Sequence, residues 1–125
     1  MTDAKKRVFV SFDYDNDLAL KNLLIGQARN PDSPFEVADF SLKEAQPEHE
    51  WLQRARRAIT LSDVFIVLLG TKTHGASGVR KEVKIANELG KTRFQLKPQD
   101  TSPESVEDAG RVYNWTWDNL KALLS

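Results

Sequence analysis

The sequence predicts an α/β fold built on a parallel sheet with helices packed on both faces. Three observations carry this prediction. Asp63 to Gly70 is a short apolar run, rich in β-branched residues, that ends at a glycine; this is the pattern of a parallel strand buried on both faces. The polar loop behind it leads into a segment in which Val79, Val83 and Ala86 recur at steps of four and three, the spacing of an amphipathic helix. Further strand-like and helix-like segments alternate along the rest of the chain, which calls for parallel strands joined by right-handed crossovers.

Taken in order, Arg7 to Phe12 (Arg-Val-Phe-Val-Ser-Phe) is a strand by composition. Asp13-Tyr-Asp-Asn-Asp17 follows, then a helix from Leu18 to Ala28 with Leu20, Leu23 and Leu24 as its apolar stripe. Asp15 or Asn16 can cap this helix, and acidic residues near its start suit its dipole. The cluster Asn30-Pro-Asp-Ser-Pro34 stops it. Phe35 to Phe40 reads as a second strand, shorter and more polar, as suits a sheet edge. After a polar connector from Ser41 to Pro47, Glu48 to Ser62 forms the clearest helix, with Trp51, Leu52, Ala55, Ala58 and Ile59 on one face. The buried strand 63–70 and the helix 78–89 come next, and Gly90 suits the position just past a helix end. Thr92 to Lys97 is a fourth strand stopped by Pro98. The acidic stretch Gln99 to Gly110 has room for a short helix after Pro103, and Arg111 to Tyr113 for a brief fifth strand. Trp117, Leu120 and Leu124 mark a final helix, with Trp115 and Trp117 packing it onto the sheet.

The length of 125 residues predicts one domain with a sizeable core. Eighteen basic residues balance eighteen acidic ones, so no charge excess argues for nucleic acid. The absence of cysteine removes disulfides, zinc-thiolate sites and cysteine nucleophiles. No apolar run reaches the roughly 20 residues that a membrane helix needs, and none behind the basic amino terminus suits a signal peptide. The expectation is a soluble, cytoplasmic protein with no membrane or nucleic-acid partner.

Four or five such units in one small domain give a flavodoxin-like three-layer sandwich, a parallel sheet of order 2-1-3-4-5 whose fifth strand is short or absent. In that architecture ligands bind beyond the carboxyl ends of the strands where the order reverses, between strands 1 and 3. The residues there are Ser11, Phe12, Asp13 and Tyr14 after strand 1, Asp39, Phe40 and Ser41 after strand 2, and Gly70 to His74, including Thr71, after strand 3. Glu82, early in the next helix, falls at the edge of the apolar face between Ala86 and Leu89, so its carboxylate points toward the sheet. Arg80, Lys81, Lys84 and Glu88 already supply the exposed charges of that helix. Glu82 reads either as a carboxylate aimed into a cleft or as a glutamate favoured near a helix start by the dipole. His74 reads as a ligand contact on the rim or as a solvated loop histidine, and His49 as exposed.

Several chemistries fail on their residues. A calcium loop starting at Asp13 needs glycine at its sixth position and glutamate at its twelfth, and finds Leu18 and Leu24. A phosphoaspartate hydrolase has its Asp-x-Asp pair here but needs a lysine and a second acidic pair far downstream in a longer chain. A phosphoacceptor aspartate at the end of strand 3 is replaced by Gly70-Thr71. Strand 1 leads into acids and not into a glycine-rich turn, so no dinucleotide fingerprint or P-loop is present. Two histidines far apart suggest no metal site.

Arg7-Val-Phe-Val-Ser-Phe12, the strand ending Leu68-Leu-Gly-Thr71, the run Ser77-Gly-Val-Arg-Lys-Glu82 and the ending Tyr113-Asn-Trp-Thr-Trp-Asp118 together resemble TIR-like proteins, above all the small bacterial and archaeal branch that includes the TIR component of the Thoeris anti-phage system. The resemblance covers nearly the whole chain. It implies cleavage of the nicotinamide–ribose bond of NAD, by hydrolysis or cyclisation to a nucleotide signal. Glu82 matches the family's catalytic glutamate. The resemblance also implies that Ser11, Phe12, Asp13 and Tyr14, with the connector from Asp39 to Leu42, line the dinucleotide site. NAD is then a substrate, no resident cofactor is implied, and self-association and an effector responding to the product are the implied partners. One departure stands out: the family usually carries an aromatic four residues before the glutamate, and here that position is Gly78. Its loss predicts a looser helix start or a more open pocket. The competing reading is a non-catalytic interaction module of the same fold, acting through self-assembly; a receiver-like regulator working without phosphorylation is a third.

Overall fold

A computed structural model describes residues 5–125. Five strands form one all-parallel sheet: β1 (Lys6–Ser11), β2 (Phe35–Phe40), β3 (Val64–Leu68), β4 (Thr92–Lys97) and β5 (Val112–Asn114), in spatial order β2-β1-β3-β4-β5. The helices are α1 (Leu18–Ala28), α2 (Glu48–Thr60), α3 (Ser77–Glu88) and α4 (Trp117–Leu124), with a single 3₁₀ turn at Thr73–Gly75. This is the doubly wound, flavodoxin-like arrangement that the alternation of segments predicts. Among the described residues no helix is long and apolar enough to cross a membrane.

The period of two along each strand divides the core into two layers. Val8, Val10, Phe12, Ile66, Leu68 and Leu96 face α1 and α4, where they meet Leu24, Leu120 and Leu124. Phe9, Phe65, Val67 and Leu69 face α2 and α3, where they meet Ile59, Val79, Val83 and Ala86. Phe9 and Phe65 stack with centroids 5.7 Å apart. All five residues of β3 are buried, each apolar side chain contributing about 1.5–3 kcal/mol relative to exposure.

One irregularity positions the functional rim. Val8 pairs with Val37 but Phe9 pairs with Asp39, so Ala38 is skipped in the β1–β2 register. A bulge of this kind exchanges the two faces for every residue beyond it. Phe35 and Val37 belong to the α1/α4 layer, and so does Phe40, of the opposite parity. Ser41 is thereby turned to the α2/α3 side, where Ser11 already points, two residues beyond Phe9.

Several details differ from the sequence reading. Neither Asp15 nor Asn16 caps α1; Asp17 holds the cap position, and its carboxylate bonds elsewhere. No acidic residue lies in the first turn of α1, and Leu23 of its expected stripe is 55% exposed, because Leu24 and Leu20 alone reach the sheet. The segment after Pro103 forms no helix. Gln95 holds it instead: its Nε2 donates to Val106 O (3.1 Å) and Gly110 O (2.7 Å), and its Oε1 accepts from Val106 N (2.8 Å). Asp108 at φ 64° also interrupts right-handed helix there. The fifth strand begins one residue later than expected and is short. α3 begins at Ser77, one residue before Gly78, and Gly90 follows α3 with φ 65°, as a helix-terminating glycine should.

Candidate functional site

Glu82 projects from the sheet-facing side of α3 and is only 1% exposed. Ser11 at the end of β1 donates its hydroxyl to Glu82 Oε1 at 2.7 Å, and the Ser41 hydroxyl, just past β2, donates to the same oxygen. Ser41 is itself fixed: its Oγ accepts from Phe12 N at 3.1 Å, and its own amide donates to Val10 O at 2.9 Å. Glu82 makes no ion pair within the described residues. Burial pushes its carboxyl up to about 8; the Ser41 and Ser11 hydroxyls pull the other way, and the negative charges of Glu44 and Asp39 add to the rise.

Glu82 forms part of the lining of a cleft of about 490 Å³ at the carboxyl end of the sheet, next to the reversal of strand order between β1 and β3. The β1–α1 loop contributes Phe12 to Asn16, the connector after β2 contributes Ser41 to Glu44, and the loop into α3 contributes Lys72 and Gly75 to Val79. Trp51 of α2 completes the lining. Tyr14 stacks on Phe12 with centroids 5.9 Å apart and remains 38% exposed, offering an aromatic surface. Lys43 Nζ lies 3.2 Å from Asp15, and Glu44 accepts from the Ser77 hydroxyl at 2.8 Å. A side chain at Gly78 would place its Cβ 3.1 Å from Glu44 Oε1, so the Glu44 carboxylate borders the space that an aromatic there would claim.

The sequence-predicted site residues separate into three groups. Phe12, Asp13, Tyr14, Ser41 and Glu82 line the cleft together. Ser11 supports Glu82 without forming part of the lining, while Asp39 and Phe40 line a narrow adjoining crevice with Glu82, Trp51 and Arg54. Thr71 and His74 are outside both. The 3₁₀ turn carries Thr73 into the interior and His74 to the surface, where its Nε2 lies 3.3 Å from Glu104. Asp13 works mainly as a turn former, accepting from Asp15 N (3.2 Å) and the Asn16 side chain (2.7 Å). Asp17, at the end of the same acidic run, is buried.

Of the lining, Lys43, Glu44, Gly75 and Ala76 are not singled out by the sequence. Trp51 was read as a core residue; it is one, at 4% exposure, and a wall of the cleft as well. Among the described residues no cluster of His, Asp or Glu could hold a metal ion.

The topology and this rim define the class: a flavodoxin-like domain whose cleft is served by a single buried, hydroxyl-supported carboxylate. The profile of the family described as Thoeris protein ThsB, TIR-like domain, matches residues 9–102. The chain belongs to that TIR-like family, and the match runs from β1 through β4, taking in every cleft residue named above. No curated protein matches the chain.

Proposed function

We propose that this protein cleaves the nicotinamide–ribose bond of NAD with Glu82 as the catalytic carboxylate, and that the product acts as a nucleotide signal in anti-phage defence. The observation that carries this reading is the setting of Glu82: buried, free of ion pairs, held through one oxygen by two hydroxyls, and at the lining of a cleft of dinucleotide-binding size. A glutamate neutralised by Arg80 with no cavity beside it would instead suit a purely structural or interaction role. Family membership supports the same reading.

The chemistry needs one well-placed anion. When the C1′–N bond breaks, nicotinamide leaves as a neutral base with the bonding pair, so no acid has to protonate it. Positive charge develops on the ribose, and a carboxylate beside C1′ stabilises or captures it. Water then completes hydrolysis to ADP-ribose and a proton, or a nucleophile within the same molecule closes a ring. The pyridinium ring brings a positive charge toward Glu82, which favours its ionised form just when the anion is needed.

The test is NAD consumption by concentrated protein, with products resolved by mass spectrometry, beside Glu82→Gln. Nicotinamide release that disappears in the variant supports the reading, and the mass of the remaining product separates hydrolysis from cyclisation. Wild-type protein that leaves NAD intact even when crowded into assemblies would overturn it in favour of the interaction module.

A further inference from the structure

Asp17 occupies the N-cap of α1 but does not do what an aspartate there ordinarily does. Its side chain accepts no bond from the first turn of the helix, although a capping aspartate normally satisfies one of those free amides. Its Oδ2 accepts instead from the Thr73 hydroxyl at 2.9 Å, across 56 residues of sequence. Thr73 Oγ1 in turn accepts from Gly70 N at 2.8 Å, which ties the end of the β3 segment into the same chain of bonds. Thr73 is fully buried and Asp17 nearly so. A Cβ on Gly70 would overlap the Asp17 carboxylate, so the close approach depends on glycine there.

Asp17 and Thr73 each adjoin a wall of the cleft along the chain. Asp17 ends the loop that carries Phe12 to Asn16, and its amide donates to Asp13 O at 2.8 Å. Thr73 opens the 3₁₀ turn between Lys72 and the Gly75–Val79 wall, and its carbonyl accepts from Ala76 N at 3.0 Å. We infer that Asp17 and Thr73 are positioning residues for the reaction at Glu82, locking the β1–α1 and β3–α3 loops at one separation so that the cleft between them presents C1′ of the substrate to the carboxylate. The inference rests on the NAD-cleavage reading. Neither residue touches the substrate. They act through the walls they hold, and the helix cap is given up for that connection.

Four variants test it, each assayed well below its own melting temperature. Thr73→Val keeps the shape and loses the hydroxyl, and Asp17→Ala removes the acceptor. Both should lower kcat/KM by at least about tenfold, with kcat falling as well as KM rising, because small displacements of reacting groups are costly. Thr73→Ser and Asp17→Asn, which retain the hydroxyl and an acceptor oxygen, should stay within about threefold of wild type by the same reasoning. Hydrogen exchange at the Gly70 amide should accelerate in the first pair and stay slow in the second. If Thr73→Val fails to fold, the Asp17→Ala and Asp17→Asn pair carries the comparison alone. Folded Thr73→Val or Asp17→Ala with unchanged kcat and KM overturns the inference, as does equal loss in Asp17→Asn and Asp17→Ala. A wild-type protein that does not turn over NAD sinks the underlying reading and this inference with it, whereas an active wild type with unimpaired variants sinks this inference alone.

Discussion

Ser41 and Glu82, 41 residues apart in sequence, meet hydroxyl to carboxylate because a one-residue bulge in β2 turns Ser41 toward α3. Ser11 reaches the same oxygen without any such adjustment.

This relationship makes Ala38 an informative position. Ala38 is the one residue of β2 that the pairing with β1 skips, so deleting it leaves Asp39 opposite Phe9 and Phe40 opposite Val10 in an unbroken register, with Asp39 and Ser41 still on the α2/α3 side. The expected outcome is a folded protein that keeps the Ser41–Glu82 bond and its NAD turnover. Denaturant unfolding and nicotinamide release check the two parts; a deletion variant that folds but has lost turnover would show that the bulge itself, beyond the facing of Ser41, is needed.

The pH dependence of stability follows from Glu82. Its folded pKa of about 8 lies above the ordinary value of 4.5, so between those values the folded state holds a proton that the unfolded state releases. Stability contributed by the neutral acid is therefore greatest at low pH and is lost as pH rises through the folded pKa. Glu82→Gln, neutral at every pH, should gain on wild type across that window by up to about 5 kcal/mol. Melting temperatures measured at pH 5, 7 and 9 test this; a gap that does not widen with pH contradicts the shift.

Activity should carry the same signature with the opposite use. The free enzyme needs Glu82 ionised, so kcat/KM should climb with pH toward about 8 and level off above it. Ser11→Ala and Ser41→Ala each remove a donor that favours the anion, so each should move this limb to higher pH and lower kcat/KM at neutral pH by about tenfold. Rate profiles of the three proteins decide the point; coincident limbs would mean that the hydroxyls do not tune the carboxylate.

Gly78→Ala tests the departure at the start of α3. The added Cβ would sit 3.1 Å from the movable end of Glu44, which can give way. Alanine in place of glycine inside a helix should raise stability by about 0.5–1 kcal/mol, read as a higher melting temperature. A loss of stability would show that Glu44 is fixed where it is.

Gln95→Leu removes three hydrogen bonds at once. It leaves Val106 N and O and Gly110 O short of a partner in the interior, at a cost of roughly 1–3 kcal/mol for each such group that water cannot reach. The segment from 99 to 110 should exchange its amides faster and become sensitive to protease before the rest of the sheet does. Unaltered protection would move the anchor of that segment to Val106 and Ala109, its two buried apolar residues.

The elements were legible in the sequence because each rests on local signals. β3 is an unbroken apolar run, α2 and α3 repeat their apolar residues at helical spacing, and proline or glycine marks the breaks. The orientation of Glu82 followed from the same periodicity. What escaped depends on distant partners. Nothing near Phe35–Phe40 announces a bulge, since it is the pairing with β1 that skips Ala38. Asp17 has the composition of an ordinary cap, and its diversion to Thr73 appears only when loops 56 residues apart meet. His74 and Thr71 were placed on the rim by counting from β3, and the 3₁₀ turn redirects that count. The helix expected after Pro103 yields to Gln95, a single buried amide on another strand.

The floor beneath the cleft has a consequence for how the protein comes into being. Its three polar groups arrive from β1, the far end of β2 and the helix after β3, separated by 71 and 41 residues from Glu82. Before these pieces assemble, Glu82 is an ordinary, ionised glutamate in water. The titration of this one carboxyl is therefore a built-in gauge of assembly: a chain in which it titrates well above the ordinary glutamate range has β1, β2 and α3 packed together.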